Sequence, residues 1–311
     1  MHPGGRFANN FALSIAMFGA LFNTQNVAIM SDETHDLGTF ANIRRDRWFK
    51  RTFGVKKRIH LLRRLLTEII PEHDFAEVTL VKEEFINVNP DDYKSIRVDL
   101  SAIDSDGTRV IIEMQVAEQD NYYERIAFNS AFPIQEQKEI GSQENDFPTV
   151  YMVSLMDFSY HENSDQVLFR GRFRWDDSHE AITDRVQLIF LELPNCKKAL
   201  TEDAGFVDNF CYVMHNIEKF DYIPPQLSED KFFVDLFDSA KIANFTAREK
   251  RLYKSDMLDE QSIAMHERFI ERKARESQRI EIAKTMLADG VDPAFIAKHT
   301  GIPEDTLKSL K

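Results

Sequence analysis

The segment from Ser95 to Ala117, SIRVDLSAIDSDGTRVIIEMQVA, restricts the possible folds of this chain more than any other feature. Apolar and polar residues alternate on both sides of the turn-forming sequence DSDG, which predicts two antiparallel strands joined by a tight turn. A three-residue loop that ends at Gly107, with the positive φ that glycine allows, pairs Asp104 with Thr108. The sequence therefore predicts a β-hairpin with a defined register.

This register decides which side chains share a face of the hairpin. It places Asp99 opposite Glu113 and Arg97 opposite Gln115, so both carboxylates lie on the same face. A two-residue loop would shift the pairing by one residue and place the carboxylates on opposite faces. We favour the first register because it leaves the other face entirely apolar. That apolar face comprises Val98, Leu100, Ala102, Ile112, Met114 and Val116.

Two carboxylates directly across an antiparallel pair have Cβ atoms about 5 Å apart and repel each other unless a positive charge lies between them. Asp99 and Glu113 therefore form a candidate site for a divalent cation. Oxygen ligands favour a hard ion, Mg²⁺ or Mn²⁺, over zinc. The alternative is a surface hairpin in which Arg97 and Arg109 compensate both acids.

The residues Asp99, Glu113 and Gln115 form a D-x13-E-x-Q pattern across a strand, a turn and a strand. This pattern resembles the motif of the PD-(D/E)XK nucleases in the variant where Gln replaces the usual Lys. The sequence IEMQ at residues 112–115 resembles the transposase-like branch of that family. DRWFKRTFG, from Asp46 to Gly54, is similar to the N-terminal motif of the same branch, and Arg125 to its helix arginine.

Two later segments extend the likeness. Gly141 followed by TVYMVSLMDF resembles the family's next strand, and FLEL at residues 190–193 resembles a later one. The likeness covers residues 40–245, and the charged helical tail also resembles that of the family. It implies a restriction-endonuclease-like fold and a metal-dependent DNA endonuclease acting on double-stranded DNA, with a possible role in recombination or transposition.

The resemblance also implies roles for individual residues. Asp99 and Glu113 would bind Mg²⁺ or Mn²⁺, with the backbone carbonyl of Met114 as a further oxygen ligand. Gln115 stands where a lysine normally orients the nucleophile, and a neutral amide can only donate or accept hydrogen bonds. This substitution implies lower activity or a stronger dependence on the metal. Glu68, in the helical turn before Pro71, is an additional candidate ligand.

Basic residues are concentrated between Ile43 and Arg64, where ten Lys and Arg residues accompany a single acid, Asp46. The whole chain carries a formal net charge of -13, so local charge must provide any DNA binding. We expect contacts to DNA phosphates from this stretch and from the helix arginine. The residues are Arg44, Arg45, Lys50, Lys56, Lys57, Arg58 and Arg125. The alternative is a solvated helix face.

Hydrophobic periodicity predicts the remaining elements. Helices are expected at residues 59–70, 121–140, 204–220, 230–245 and 246–288, and strands at residues 75–88, 149–158 and 185–193. Strands that alternate with a helix around a central hairpin predict an α/β fold with a mixed sheet flanked by helices. An all-helical tail follows this domain.

The last residues predict two small helices joined at Gly301. Gly290 can adopt the left-handed backbone conformation that often ends a helix. Asp292 and Pro293 are residues typical of the start of the next helix. The pattern is similar to a helix-turn-helix, but DNA reading and docking or homo-oligomerisation remain alternative roles. We divide the chain into a nuclease-like domain at residues 36–245, a charged helix at 246–288 and a helical end at 289–311.

Composition and missing motifs exclude other classes. A 311-residue chain with 43% hydrophobic residues is typical of a globular protein. Cys196 and Cys211 provide neither a disulfide framework nor a zinc spacing, so a cytoplasmic location is expected. No P-loop or nucleophile-elbow motif occurs in the sequence.

The N-terminal apolar run from Phe11 to Phe22 is too short to span a bilayer. Residues 1–35 are expected to form a poorly ordered extension, with Met30 as an alternative start. We therefore expect no membrane partner. Two functions compete, an active endonuclease and a non-catalytic DNA-binding or interaction protein that keeps the nuclease fold. The presence of both Asp99 and Glu113 favours the first.

Overall fold

The computed structural model describes residues 37–81, 86–87, 95–96, 98–136 and 147–308. The predictions made for residues 1–35, Arg97, Gly141 and the last three residues lie outside these ranges. None of the described helices combines the length and the hydropathy that a membrane span requires.

The centre of the fold is a mixed six-stranded sheet in the order β1-β4-β5-β6-β8-β7. Its strands are β1 Thr79–Val81, β4 Leu100–Ile103, β5 Arg109–Gln115, β6 Val150–Met156, β7 Leu168–Arg174 and β8 Ala181–Glu192. The pairs β5–β6 and β6–β8 are parallel, and the other pairs are antiparallel. Two short strands, β2 Ile86–Asn87 and β3 Ser95–Ile96, pair with each other in a separate ladder. The predicted mixed sheet is confirmed.

Eight α-helices occur among the described residues. They are α1 Asp46–Phe53, α2 Ile59–Ile69, α3 Tyr122–Glu136, α4 Phe206–Asn216, α5 Lys231–Ala240, α6 Ala247–Ala288, α7 Pro293–Thr300 and α8 Glu304–Lys308. The helix predicted at residues 59–70 is confirmed, with five leucine and isoleucine side chains buried at helical spacing. Helix α3 contains Pro133 and packs over β6 and β8.

The predicted hairpin register is confirmed. Ala102 pairs with Val110 and Leu100 with Ile112, and the Asp104 N–H donates to the Thr108 carbonyl at 2.9 Å. Gly107 has a φ of 86°, as the three-residue loop requires. Because side chains alternate along a strand, Glu113 extends from the face of β5 that also carries Ile111.

Both faces of the β5 strand are covered, so neither face is an open polar surface. Ile111 packs with Tyr122 and Ile126 of α3, while Ile112 on the opposite face is also buried. Val98 was expected on the face opposite Asp99 but lies in the same cluster as Ile111. The chain bends at Asp99, just before β4 begins, and the strict alternation ends there.

Strand β7 was not predicted. Its sequence, LFRGRFR, places arginines at every second position and a glycine at the centre, so its hydrophobic pattern is weak. The strand forms the edge of the sheet and pairs along β8, which begins at Ala181, four residues earlier than the predicted start at Arg185. Pairing with β8, and not local propensity, defines this edge.

The predicted charged helix is confirmed as the 42-residue helix α6. Thr246 and Glu249 form a capping box at its start, and Gly290, with a φ of 79°, follows its end. The two predicted short helices, α7 and α8, pack on its last turns. Their shared cluster contains Ala283, Ile296, Ile302 and Leu307. The proposed division into domains remains a prediction.

We predict that Gly107→Ala destabilises the protein more than Gly290→Ala. Both glycines have positive φ, which costs a residue with a Cβ roughly 1–2 kcal/mol. A Cβ at Gly107 would in addition lie 2.9 Å from Cγ of Pro148, whereas nothing lies within 4 Å of one at Gly290. Chemical denaturation of both variants measures the difference in unfolding free energy, and equal losses would contradict the tight contact with Pro148.

Candidate active site

The start of β4 and the end of β5 bring Asp99 and Glu113 together, as the register predicts. Oδ2 of Asp99 accepts a hydrogen bond of 2.7 Å from the backbone N–H of Met114, the residue after Glu113. In an antiparallel ladder the N–H and C=O of one residue point to the same neighbouring strand. The carbonyl of Met114 is therefore directed to the side on which Asp99 lies.

The Glu113 carboxyl group is held in an unfavourable environment. Its side chain is 8% exposed, and its Oε1 atom is buried without a hydrogen-bond partner among the described residues. Burial, followed by the negative charge of Asp99, raises the pKa of Glu113 to about 8. Burial also raises the pKa of Asp99, against the hydrogen bond from Met114. Burial and the mutual repulsion of the two acids thus outweigh the nearby positive charges in their effect on the pKa of Glu113.

Helix α1 adds two charged residues to this pair. Its first residue, Asp46, forms an ion pair of 2.8 Å with Lys50, one turn later. The Asp46 carboxyl group contributes to raising the pKa of Asp99, and its charge also acts on Glu113. No role was expected of Asp46 from the sequence, and Lys50 was expected to bind DNA. The available signal was the DRWFK motif, which places these residues four apart on one side of a helix.

Gln115 and Arg125 form a second group beside the carboxylates. Nη2 of Arg125 donates to Oε1 of Gln115 at 2.8 Å, and Nε2 of Gln115 donates to the carbonyl of Ala117 at 2.8 Å. Arg125 also donates to Gln119 and lies over the ring of Tyr122. Its guanidinium lowers the pKa of Glu113, in opposition to burial. Gln115 thus holds Arg125, and both ends of its amide are already engaged.

These residues fit a divalent cation. The carboxyl groups of Asp99 and Glu113 act on each other, the charge of Asp46 acts on both, and Oε1 of Glu113 is buried without a hydrogen-bond partner among the described residues. Hard oxygen donors of this kind suit Mg²⁺ or Mn²⁺. A cation between them would add to the positive charge that Lys50 and Arg125 bring to these acids.

The basic stretch divides into internal and exposed residues. Arg44 is buried and pairs with Asp157 and Glu218, and Arg58 donates to the backbone carbonyls of Arg51 and Thr52. Arg45 pairs with Glu260 of α6. These three arginines therefore hold the fold together, which sequence counting did not reveal.

Lys56 and Lys57 are exposed on the turn between α1 and α2. They remain available to a partner in solution, unlike the arginines on either side of them. Glu68, the additional candidate ligand, forms an ion pair of 2.7 Å with Arg64 on its own helix. It is not among the charges that act on Asp99 or Glu113.

A separate cluster lies at the other end of the hairpin. His73, Asp104 and Asp106 each offer one metal-ligating atom, all within 4.8 Å of one another. His73 hydrogen-bonds Asp104 at 2.9 Å, and Asp106 accepts from the backbone and hydroxyl of Thr108. At about 3.4 Å per residue, Asp104 is roughly 17 Å along the strand from Asp99. This cluster is therefore distinct from the candidate active site.

The site has the order of motifs expected of a nuclease, and comparison with known proteins agrees. Residues 43–266 match the model of the PD-(D/E)XK nuclease family transposases, over more than half of the chain. The chain belongs to this family. No curated protein and no solved structure matches it. The resemblance inferred from Asp99, Glu113 and Gln115 is thus confirmed at the level of the family.

The extent of the match is informative about this PD-(D/E)XK chain. It begins just before α1 and ends within α6, so it includes every residue of the candidate active site. The two C-terminal helices α7 and α8 lie outside it. The mixed sheet with flanking helices is consistent with the fold of the family.

We predict that Glu113→Gln removes a pH dependence of stability from the metal-free protein. The pKa of Glu113 is raised from 4.5 to about 8 in the folded state. Between these values the folded protein holds a proton that the unfolded chain releases, so stability falls as pH rises through this window. Each pKa unit corresponds to about 1.4 kcal/mol, so the effect is on the order of a few kcal/mol.

Urea unfolding at pH 5 and pH 8, in a chelator, measures this effect. Glu124→Gln, a change at an exposed acid of α3, is the control and should keep the slope of the parent. The Glu113→Gln protein should lose less stability between the two pH values than the parent. Parallel losses in parent and variant would show that Glu113 ionises normally in the folded state.

Proposed function

We propose that this protein is a divalent-metal-dependent DNA endonuclease that hydrolyses phosphodiester bonds, acting in recombination or transposition. The observation that carries the proposal is the buried, unpartnered oxygen of Glu113 beside Asp99, at the positions of the family motif. Membership of the family supports DNA as the substrate and a divalent metal as the cofactor. We take the metal to be Mg²⁺ or Mn²⁺ because its ligands are oxygens.

Asp99, Glu113 and the backbone carbonyl of Met114 would hold the cation, and the contact of Asp46 with Asp99 makes Asp46 a further ligand in our proposal. When bound, the cation lowers the pKa of a water molecule and stabilises negative charge on the phosphate. The Met114 N–H fixes the orientation of the Asp99 carboxylate. The ends of β4 and β5 thereby keep the ligands in place before substrate arrives.

In the hydrolysis a bond forms between a water oxygen and phosphorus, and one phosphorus–oxygen ester bond breaks. The water loses a proton to solvent, and the departing sugar oxygen takes one up. Arg125 would bind a phosphate oxygen of the substrate strand; the hydrogen bonds that its guanidinium makes with Gln115 and Gln119, and its charge acting on Glu113, support this role. Gln115 has a positioning role in this scheme.

Double-stranded DNA would reach this site along the surface that carries Lys56 and Lys57. Both lysines are exposed on the turn that follows α1, the helix that provides Asp46 to the site. Contacts from lysines to phosphates position DNA without reading its sequence. Arg44, Arg45 and Arg58 are left out of this proposed surface because they bind groups within the protein.

We also propose a cytoplasmic location, since both cysteines are free. The homo-oligomer expected from the sequence remains a proposal.

We predict that the protein cleaves supercoiled plasmid in Mg²⁺ or Mn²⁺ and that chelation stops the reaction. Asp99→Ala and Glu113→Ala should each reduce cleavage by at least about 100-fold, the size of losing one preorganised electrostatic contact to a developing charge. Both variants should stay folded, because each removes one of two repelling acids. Agarose electrophoresis of the plasmid, with far-ultraviolet circular dichroism for folding, provides the measurement.

Asp184→Asn, which changes an exposed acid on strand β8, is the matched control and should cleave like the parent. Cleavage by both alanine variants at the rate of the parent would assign the activity to a contaminant or to another site. A parent protein that binds DNA and does not cleave it in either metal would support the non-catalytic alternative.

We predict that Lys56→Gln together with Lys57→Gln weakens binding to duplex DNA and flattens its salt dependence. Each phosphate contact contributes about 0.9 to the slope of log K against log salt, so the double change should lower the slope by nearly 2. Fluorescence anisotropy in chelator, in the Asp99→Ala background, measures the slope. Lys231→Gln with Lys241→Gln, at exposed lysines of α5 and its end, should leave it unchanged.

A further inference from the structure

We propose that Lys50 is the residue that supplies positive charge inside the active site, the role that Gln115 cannot fill. The inference rests on the proposed nuclease function and adds a catalytic residue to it. In the sequence analysis Lys50 was one of several cations expected on a DNA-binding surface. Its position in the structure separates it from that surface.

The side chain of Lys50 lies inside the group of carboxylates. It is 17% exposed, and its Nζ is 2.8 Å from Oδ1 of Asp46, whose charge acts on Asp99. The charge of Lys50 opposes the effect of burial and lowers the pKa of both Asp99 and Glu113. The ammonium group therefore acts on all three acids of the site. Helix α1 fixes its place, because residues four apart lie on one side of a helix.

Gln115 is engaged elsewhere. Its carbonyl oxygen accepts from Arg125 and its amide nitrogen donates to Ala117, so the amide serves to hold Arg125. An amide is also neutral and gives no net charge to the site. Strand β5 therefore supplies no cation next to Glu113, and α1 supplies one instead.

The charges of the site show why such a cation is needed. Asp46, Asp99 and Glu113 carry three negative charges when ionised, and a divalent cation leaves one of them uncompensated. A phosphodiester brings another negative charge, and more charge develops on its oxygens during hydrolysis. Lys50 offsets this excess, and its N–H groups can donate to a phosphate oxygen.

A purely structural ion pair is the competing explanation. The chain contains a pair of the same type at the same spacing, Lys231 and Asp235 on α5, in which the lysine is 82% exposed. Exposed pairs of this kind contribute little to stability. Lys50 differs because its charge is withdrawn from water, and because it faces two further acids.

Lys50→Met tests the proposal, with Lys231→Met as the matched control. The change keeps much of the side-chain length and removes the charge. Cleavage in Mn²⁺ should fall by about 100-fold or more in kcat. Calorimetry of Mn²⁺ binding without DNA provides a second measurement. In that measurement, removal of the Lys50 charge, which repels the metal ion, should tighten Mn²⁺ binding by about threefold or more. The control should leave both values at those of the parent.

Opposite changes in the two measurements support the role of Lys50, since a merely structural lysine would weaken metal binding and cleavage together. A parallel loss of both, or unchanged cleavage, overturns the proposal while the nuclease function stands. Should Lys50→Met fail to fold, Lys50→Arg retains the charge and should keep most of the cleavage, and Lys50→Gln should not. A parent protein without metal-dependent cleavage contradicts the proposed function itself, and the inference with it.

Discussion

Burial of two acids side by side is the constraint on which the rest of the site depends. Glu113 lies in the middle of the sheet, under helix α3, and Asp99 reaches it from the next strand. An ionised carboxylate is costly in such a place unless a positive group compensates it. Lys50, Arg125 and the proposed cation all provide positive charge that compensates the buried acids. Among the residues that the structure describes, one carboxylate oxygen of this pair has no hydrogen-bond partner, which supports the metal site that we propose.

The hairpin turn controls this arrangement from a distance. A loop at Gly107 that is one residue shorter or longer would shift the strand register by one residue. Glu113 would then extend from the opposite face of the sheet, away from Asp99. The space at Gly107 beside Pro148, which a Cβ would fill, restricts the loop that sets this register. Packing on both faces of β5 favours the same register. A shift of one residue would move the buried side chains of Ile111 and Ile112 to the opposite faces of the sheet.

Alternation and turn chemistry were sufficient to predict the hairpin, its register and the close approach of Asp99 to Glu113, because these depend on neighbours in the sequence. Strand β7 could not be predicted, since its LFRGRFR pattern becomes a strand only through pairing with β8. The DRWFK motif places Asp46 and Lys50 on one side of a helix, but tertiary packing brings that side to the site, and a local pattern does not reveal such packing. Charge counting likewise could not separate Arg44, buried between Asp157 and Glu218, from exposed Lys56.

Helix α6 has a mechanical consequence. At 1.5 Å per residue its 42 residues extend for about 63 Å, and most of its side chains between Leu258 and Arg279 are exposed. Its first turns are tied to the core through Tyr253 and Asp256, and its last turns carry the small cluster of α7 and α8. The length of α6 therefore sets a separation on the order of 60 Å between the first turn of the helix and the C-terminal cluster of α7 and α8.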